Sequence, residues 1–387
     1  MKIDFDQQID RTGTYSTQWD YTVDRFGRSD ILPFSISDTD FAVPDAIQVA
    51  LNERMKHPVY GYTRWNHEAY KQSIISWFEK DPRVKIRPSW IVYSPSVMYT
   101  ISKLICLLTK QGEGVAVFTP MYDAFFSAIE ANKRLLLKIE LGAADQGYQI
   151  DWSALEHNFA KENTKVFLLT NPHNPTGKVF SPLELKRMNE LSKRYNVFII
   201  SDDIHRDIIL GEKKYTPITC FAEDNVALCC SSSKTFNTPG LGGSYAFIPN
   251  ESLREKFLFT LKQRDAVSSA SIFGIESMIA GYTHGEKYVQ ELQQYLKNNF
   301  HFLQKFLAEK ISEIDFEMPE ATYLAWLNVS DIKWKQDELQ NRLINRGHVG
   351  IMPGSTYGDQ QYLRMNIGCP LKKLEEGLNR MEWALHS

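Results

Sequence analysis

Val226-Ala227-Leu228-Cys229-Cys230 is followed directly by Ser231-Ser232-Ser233-Lys234-Thr235-Phe236, so an apolar, strand-like run ends in three hydroxyl side chains and one lysine. A lysine just past a buried strand can lose its proton through desolvation, and its neutral amine can then attack an aldehyde. The neighbouring serines offer hydroxyl donors for a phosphate. On this stretch alone, an ordinary strand-end lysine among loop serines explains the pattern better, so the rest of the chain decides.

The bulk composition is that of a well-cored globular protein. The chain has 387 residues, of which 43% are hydrophobic and 24% charged, and this favours two domains of unequal size over a disordered chain. The formal net charge of −3 provides no electrostatic attraction to nucleic acid or to an anionic membrane surface. We therefore expect neither nucleic acid nor a membrane as a partner.

The cysteines and the N-terminus indicate the compartment. Five cysteines, an odd number, show no CxxC or other metal-ligand spacing, so we expect reduced thiols and no metal site. Residues 1–10 are charged and lack the apolar core of a secretory signal. No window approaches about 18 consecutive apolar residues, the length that spans a bilayer. These features predict a cytoplasmic protein.

Short apolar runs alternate with longer amphipathic stretches between residue 45 and about residue 280. The runs of strand length are 114–119, 165–170, 197–201, 227–231 and 244–248. Three of the four gaps between them are long enough to hold a helix, which predicts an α/β fold with a mostly parallel, seven-stranded type of sheet covered by helices. The fifth run follows the fourth closely, as an antiparallel neighbour would.

The pattern of helix and strand candidates changes after about residue 285. A long helical pattern at 288–310 precedes strand candidates at 323–329 and 362–366, and an amphipathic helix follows Pro370. We expect a large domain at 45–285 and a smaller α+β domain at 286–387. The turn-rich segment 1–44 is expected to be an arm that contributes to the small domain.

Polar clusters follow four of the apolar runs. They are Tyr122, Asn171-Pro172-His173-Asn174-Pro175-Thr176-Gly177, Ser201-Asp202-Asp203-Ile204-His205, and Ser231 to Lys234. Ligands of open parallel sheets bind at the carboxyl ends of the strands, so all four clusters are expected at one crevice.

Each cluster meets a different demand of pyridoxal phosphate, a cofactor that carries both an aldehyde and a phosphate. A carboxylate such as Asp202 keeps the pyridine nitrogen protonated, and Asn174 can hydrogen-bond the phenolic oxygen. His205 can reach the same edge of the ring as Asp202, and Tyr122 offers a ring for stacking. Metal binding by Asp202, Asp203 and His205 is the competing interpretation, but no further His or Cys cluster supports it.

The phosphate has a predicted cradle of its own. Ser94-Pro95-Ser96-Val97-Met98 opens an apolar helix that runs towards Leu108, and free N–H groups at such a helix start favour an anion. We expect Ser96, Val97 and Met98 to bind the phosphate from this side, with Ser231 and Ser233 adding hydroxyls from the other.

The motifs Asn-Pro-His-Asn-Pro-Thr-Gly, Ser-Asp-Asp-Ile-His and Ser-Ser-Ser-Lys, in this order and spacing, resemble those of fold type I pyridoxal-phosphate enzymes in the aminotransferase class I/II family. The resemblance covers essentially the whole chain. A finer resemblance is to the MalY/PatB group of cystathionine β-lyases, which are C–S lyases. Its hallmarks correspond to the stretches 37–41, 60–63, 233–245, 322–326, 352–358 and 363–370.

The resemblance assigns roles to three further positions. It implies that Lys234 is the catalytic lysine and that Arg364 binds the substrate α-carboxylate, which a guanidinium can hold bidentately. Many class I/II aminotransferases carry a phosphate-binding arginine where this chain has Gly242. By resemblance, Tyr62 of the neighbouring subunit supplies the phosphate contact instead, which makes a homodimer part of the expectation.

The activity implied is α,β-elimination of L-cystathionine or related S-substituted L-cysteines to pyruvate, ammonia and a thiol. A class I/II aminotransferase shares the early steps and differs in the fate of the Cα carbanion, so it stays open as the alternative. A third possibility, contact with a transcription regulator, is also implied for some members of the group, although the sequence marks no surface for it.

Overall fold

A seven-stranded sheet lies at the centre of the chain, and the computed structural model describes it within residues 3–387. Met1 and Lys2 of the predicted N-terminal arm lie outside the described residues. The strands in chain order are β1 (Leu32–Pro33), β2 (Ile91–Ser94), β3 (Gly114–Thr119), β4 (Leu135–Glu140), β5 (Thr164–Thr170), β6 (Phe198–Asp202), β7 (Val226–Cys230), β8 (Ser244–Phe247), β9 (Leu324–Asn328), β10 (Val349–Gly350), β11 (Met352–Pro353) and β12 (Tyr362–Asn366).

The central sheet has the order β2-β8-β7-β6-β5-β3-β4. The strands from β7 to β4 run parallel, whereas β8 is antiparallel to both of its neighbours. Every residue of β3 and β7 is buried, as expected for strands covered on both faces. The predicted α/β fold with a mostly parallel seven-stranded sheet is therefore confirmed, including the antiparallel fifth run.

Thirteen α-helices surround the sheets within the described residues. They are α1 (Thr22–Phe26), α2 (Asp45–Met55), α3 (Glu68–Phe78), α4 (Val97–Leu108), α5 (Asp123–Ala131), α6 (Trp152–Phe159), α7 (Pro182–Arg194), α8 (Ser233–Phe236), α9 (Glu251–Phe259), α10 (Ile272–His284), α11 (Glu286–Lys310), α12 (Gln336–Asn345) and α13 (Leu371–His386). Nowhere in residues 3–387 does a helix combine the length and apolar character needed to cross a bilayer.

Alternation along the strands builds a separate apolar core on each face of the sheet. In β3, Val115 and Val117 join a cluster with residues of α4, α5 and α9, whereas Ala116 and Phe118 join one with residues of α6 and α7. Successive side chains of a strand point to opposite faces, so one strand serves both cores. The sheet edge is thereby held rigidly enough to position a site.

The C-terminal part forms a second, antiparallel sheet of order β11-β12-β9. The N-terminal segment joins this part of the molecule, because β1 pairs in parallel with β10. One large apolar cluster then runs from α3 and α10 through the long helix α11 to α13. Because of this packing, the N-terminal segment lies against residues far away in sequence.

Two strands of the central sheet were not anticipated. The edge strand β4 has the sequence Leu-Leu-Leu-Lys-Ile-Glu, and only Ile139 is fully buried, so its burial does not follow the apolar pattern. The four-residue strand β2 merges with the turn that precedes α4. The predicted runs otherwise match β3, β5, β6, β7 and β8 to within one residue at each end.

Gly177, the last residue of the Asn-Pro-His-Asn-Pro-Thr-Gly stretch, has a structural reason to be glycine. Its φ of +71° lies in the left-handed region, and an added Cβ would lie 2.4 Å from Pro319 Cβ and 2.7 Å from the Ala321 carbonyl oxygen. Both neighbours belong to the segment that leads into β9, so any side chain here would push the two parts of the molecule apart.

We expect Gly177→Ala to lower the free energy of unfolding by about 2–5 kcal/mol, since backbone strain and overpacking add. Gly13→Ala is the matched control, because Gly13 has the same φ of +71° but no atom within 4 Å of the added Cβ. That control should lose only about 1 kcal/mol. Urea unfolding of both variants measures the difference, and equal losses would contradict the role of the close contact.

Candidate active site at the carboxyl edge of the sheet

A pocket of about 210 Å³ lies where β2, β5, β6 and β7 end. Ten of the twelve residues predicted for the site line it: Ser96, Val97, Met98, Tyr122, Asn174, Asp202, His205, Ser231, Ser233 and Lys234. Tyr62 and Arg364 do not line it. The structure therefore brings together polar residues from four strand ends, which is the arrangement expected of an open parallel sheet.

Lys234 lies in the short helix α8, directly after β7, and its amine reaches across to the N-terminal segment. Its Nζ donates a hydrogen bond to the carbonyl oxygen of Ser37. Burial lowers the pKa of Lys234 to about 8, with the nearby positive charge of Arg364 acting in the same direction and the carboxylates of Asp38 and Asp202 opposing it. A substantial fraction of this amine is thus neutral near pH 8 and able to act as a nucleophile or a base.

The carbonyl of Ser37 is held in place by a network that the sequence did not assign. It also accepts a hydrogen bond of 2.9 Å from the Tyr323 hydroxyl. The next residue, Asp38, pairs with Arg11 at 2.7 Å, and the same guanidinium reaches Asp40 at 2.8 Å. These bonds place the carboxylate of Asp38 near the amine, where its charge raises the pKa of Lys234.

Asp202, the last residue of β6, presents a buried carboxyl to the pocket. Its Oδ1 accepts one hydrogen bond of 3.1 Å from the Ile204 backbone N–H. Burial raises the pKa of Asp202 to about 7, and that bond and the charge of Lys234 offset only part of this effect. Within residues 3–387, this carboxyl has no ion-pair partner of the kind that a buried carboxylate needs.

Asp203 faces away from the pocket, as its neighbouring position in an extended segment predicts. Its carboxylate accepts hydrogen bonds from the hydroxyls of Ser201 and Tyr215. Burial raises the pKa of Asp203 to about 7 as well. Among residues 3–387, no three carboxylate, histidine or cysteine side chains come together as a metal site would require.

His205 is buried in the pocket wall, and its ring packs edge-on against Tyr323 at a centroid distance of 5.8 Å. Burial lowers the pKa of His205 to about 3, assisted by the positive charges of Lys234 and Arg364. The ring is therefore neutral at physiological pH. Its Nδ1 is buried and has no hydrogen-bond partner within the described chain.

Arg364 lies in β12 and joins the site through Asn174. Its Nη1 donates to Asn174 Oδ1 at 3.2 Å, and its Nη2 donates to the carbonyl oxygen of Ser35 at 3.1 Å. The guanidinium also packs over the ring of Tyr357, 4.1 Å from its centroid. Asn174 lines the pocket and Arg364 does not, so the arginine contacts the pocket wall from behind, through Asn174.

The start of α4 forms an anion cradle at the other end of the pocket. Ser96 caps this helix by accepting a hydrogen bond of 3.1 Å from the Tyr99 N–H. The first-turn N–H groups of Val97 and Met98 have no helical acceptor, as at any helix start. Ser231 lies opposite, where it accepts from the Ser233 N–H at 3.2 Å and donates to the Gly243 carbonyl at 2.9 Å.

The two predicted tyrosines lie in very different environments. Tyr122 is half-buried just before α5 and lines the pocket, with its ring edge-on to Phe125. Tyr62 is fully exposed in the single chain. The prediction that Tyr62 reaches a phosphate concerns a neighbouring subunit, and it stays a prediction.

Sequence reasoning missed the participation of Ser37 and Asp38. Both belong to the stretch 37–41 that was noted as a family hallmark, yet no local pattern indicates which strand end they contact. Their position depends on contacts between residues about 200 positions apart, such as the bond of Asn237 Oδ1 with the Thr39 N–H at 3.1 Å. Only the complete fold supplies that information.

A lysine that presents its amine at one end of a pocket, with an anion cradle at the other, is typical of enzymes that hold a phosphorylated aldehyde. The chain belongs to the family described as aminotransferase class I and II, which matches residues 29–381, and within it to the MalY/PatB group. The predicted family is thus confirmed.

Three similar proteins make the relationship concrete. Protein MalY of Escherichia coli is 42% identical over 378 residues, covering 97% of each chain. Cystathionine beta-lyase PatB of Bacillus subtilis is 34% identical over 388 residues, covering 99% of this chain and 100% of PatB. The crystal structure of the PLP-bound C–S lyase of Staphylococcus hominis superposes with a TM-score of 0.93 at 27% identity, covering 100% of this chain and 99% of that one.

The lowered pKa of Lys234 gives a direct prediction for the protein without ligand. Acetic anhydride acylates a neutral amine but not a protonated one. Brief labelling of Lys234 should therefore increase with pH, with a midpoint at about pH 8. Peptide mass spectrometry after pulses of acetic anhydride measures this midpoint, and Lys234→Met protein, which lacks the labelled site, is the control. A midpoint near the ordinary lysine value of 10.5 would show that burial does not act on this amine.

Proposed function

We propose that this protein is a pyridoxal-phosphate-dependent C–S β-lyase that cleaves L-cystathionine or related S-substituted L-cysteines. The observation that carries the proposal is the buried amine of Lys234, whose pKa is lowered to about 8, in one pocket with the carboxyl of Asp202. The choice of lyase is supported by the similar proteins, because PatB is a cystathionine beta-lyase and the Staphylococcus hominis protein is a C–S lyase.

The residues of the pocket fit pyridoxal phosphate at both of its ends. The first-turn N–H groups of Val97 and Met98, the cap residue Ser96 and the hydroxyls of Ser231 and Ser233 match a phosphate. At the other end, the buried carboxyl of Asp202 has no ion-pair partner among the described residues, and a protonated pyridine nitrogen would be that partner. The cofactor thus supplies an anion to the free N–H donors and a cation to the buried carboxyl.

Three further side chains are assigned to the ring of the cofactor in this proposal. Asn174 would donate a hydrogen bond to the phenolic oxygen through its amide nitrogen, because Arg364 already binds its Oδ1. His205, neutral because its pKa is lowered to about 3, would offer its unpartnered Nδ1 near Asp202. Tyr122 would cover one face of the ring.

When bound, pyridoxal phosphate supplies an aldehyde that condenses with amines and a ring that accepts the electron pair left at Cα. The chain's own residues move and hold the protons. Lys234 Nζ takes the Cα proton of the substrate as a general base, for which a pKa of about 8 is suited. Asp202 holds the proton on the ring nitrogen, so that the ring remains electron-withdrawing.

The substrate is oriented by its α-carboxylate in this proposal. Arg364 would bind the carboxylate with the planar fork of its guanidinium. The bond from Arg364 to Asn174 fixes the distance between the carboxylate site and the ring. With the thiolate expelled from Cβ, L-cystathionine and water give homocysteine, pyruvate and ammonia, a reaction in which no external oxidant or keto acid is consumed.

This activity has a direct test. Cofactor-loaded protein supplied with L-cystathionine and no keto acid should release pyruvate and free thiol in equal amounts. Lys234→Ala should abolish turnover because it removes the base and the anchoring amine, whereas Lys333→Ala, at an exposed position, should leave it unchanged. Turnover that requires a keto acid would replace the lyase with an aminotransferase, and activity retained in Lys234→Ala would refute the role of the lysine.

We also propose that the protein acts as a homodimer in which Tyr62 completes the phosphate site of the neighbouring subunit. The stretch 49–62 of the single chain exposes several apolar side chains, as an interface would: Val49, Met55, Val59, Tyr60 and Tyr62. In its own chain, the hydroxyl of Tyr62 has no hydrogen-bond partner within residues 3–387, whereas that of Tyr60 donates to the Met55 carbonyl at 3.3 Å.

We expect Tyr62→Phe to release the cofactor about three- to tenfold faster on dialysis, as the loss of one hydrogen bond to a charged group predicts. Tyr60→Phe is the control and should retain the cofactor, since its hydroxyl bonds within its own chain. Sedimentation measures the assembly state of both variants, and a monomer that retains the cofactor fully would contradict the shared site.

The domain division and the compartment remain proposals. We propose a large domain at 45–285 and a small one at 286–387 joined by the arm, and the pairing of β1 with β10 supports the place of the arm. A cytoplasmic location is supported by five free cysteines, of which Cys229, Cys230 and Cys369 are buried. Such thiols persist where the surroundings are reducing.

A further inference from the structure

A second cavity is lined by Arg206 and Asp207, the two residues that follow His205 of the catalytic pocket. Its volume of about 680 Å³ is within the range of small-molecule sites. We call it the Arg206 cavity. Its lining residues are Trp77, Phe78, Lys80, Asp81, Pro82, Arg83, Val84, Arg206, Asp207, Ile209, Lys214, Tyr215, Glu286, Val289, Gln290 and Gln293.

Arg206 is the buried charge of this cavity. Its side chain is only 10% exposed, and its guanidinium carbon lies 3.6 Å from the ring centroid of Phe78 and 5.1 Å from that of Tyr215. Stacking between two rings fixes the plane of the guanidinium and leaves its in-plane N–H donors to find acceptors.

Within residues 3–387, those donors find no hydrogen-bond acceptor. Among the described residues, none accepts a hydrogen bond from the side chain of Arg206, and its Nε and Nη1 are buried without partners. The nearest carboxylate, Asp207, lies 3.5 Å from Nη1. This contact is an ion pair without a hydrogen bond, and the same carboxylate accepts from Trp77 Nε1 at 3.0 Å and from Thr235 Oγ1 at 2.8 Å.

The other charges of the cavity leave a positive excess. Lys80 pairs with Glu286 at 2.9 Å, and Arg83 pairs with Asp81 at 2.5 Å. Lys214 is exposed at the cavity and forms no ion pair within residues 3–387. The lining therefore carries one positive charge in excess: four cations, Lys80, Arg83, Arg206 and Lys214, against three carboxylates, Asp81, Asp207 and Glu286.

We propose that the Arg206 cavity binds a small oxyanion, a carboxylate or a phosphate, with Arg206 as the buried anchor and Lys214 as the second contact. Buried guanidinium N–H groups without hydrogen-bond acceptors are costly even with a carboxylate 3.5 Å away, and an oxyanion in the guanidinium plane would relieve that cost through charge-assisted hydrogen bonds. The residues involved are distinct from those assigned to the catalytic pocket, so the proposal does not depend on the enzymatic activity.

Calorimetric titration of the cofactor-loaded protein tests the proposal in two arms, one with inorganic phosphate and one with succinate. Cofactor loading fills the phosphate cradle at α4, which keeps added phosphate from binding there. Binding should weaken about tenfold or more in Arg206→Met, which keeps the length of the side chain and removes the charge. Arg87→Met, at an exposed arginine outside the cavity, should bind like the original protein.

Lys214→Gln keeps the test informative if Arg206→Met does not fold. This exposed position tolerates substitution, and the loss of one cation should weaken binding about two- to fivefold with an unchanged melting temperature. Binding in either arm that is weakened in each of these variants that folds supports the site and identifies its oxyanion. Absence of binding in both arms overturns the proposal. Binding that is unchanged in the two variants overturns it as well, because the ligand then binds elsewhere, as succinate would at Arg364.

Discussion

The hydrogen bond from Lys234 Nζ to the Ser37 carbonyl is the contact on which the site depends. It joins the end of β7 to a segment about 200 residues earlier in the chain, and the same carbonyl is fixed by the hydroxyl of Tyr323. The central sheet, the N-terminal segment and the C-terminal part therefore meet at one amine. Burial by these three elements is also what lowers the pKa of Lys234 to about 8.

Burial shifts the pKa values of two groups at this sheet edge in opposite directions. The amine of Lys234 is shifted towards its neutral form and the carboxyl of Asp202 towards its protonated form, since low polarity disfavours both charges. Groups poised in this way exchange protons near neutral pH at little cost. A ligand with a cationic nitrogen beside Asp202 would restore its carboxylate, which makes the ionisation of the site depend on occupancy.

Much of this site was predictable because it is local to strand ends. Tyr122, Asn174, Asp202 and Lys234 each follow an apolar run by a few residues, and a parallel sheet brings such ends together whatever the connections are. Resemblance then assigned Arg364, although the structure places it behind Asn174 and not on the pocket wall.

The remaining features depend on long-range packing. Nothing in the stretch 37–41 indicates that its carbonyls lie over a lysine, and the edge strand β4 has no burial pattern to distinguish it. The Arg206 cavity was missed for the same reason, because α3, the 206–215 segment and α11 form it together. Its wall is close to the catalytic lysine, since Asp207 bonds to Thr235, the residue after Lys234.

The most direct test of this site is to determine which lysine carries the cofactor. Borohydride reduction of the cofactor-loaded protein, followed by digestion and mass spectrometry, locates the lysine that carries the reduced pyridoxyl group. We expect a single modified peptide that contains Lys234. Modification of a different lysine, or no modification in a protein that retains the cofactor, would contradict the site.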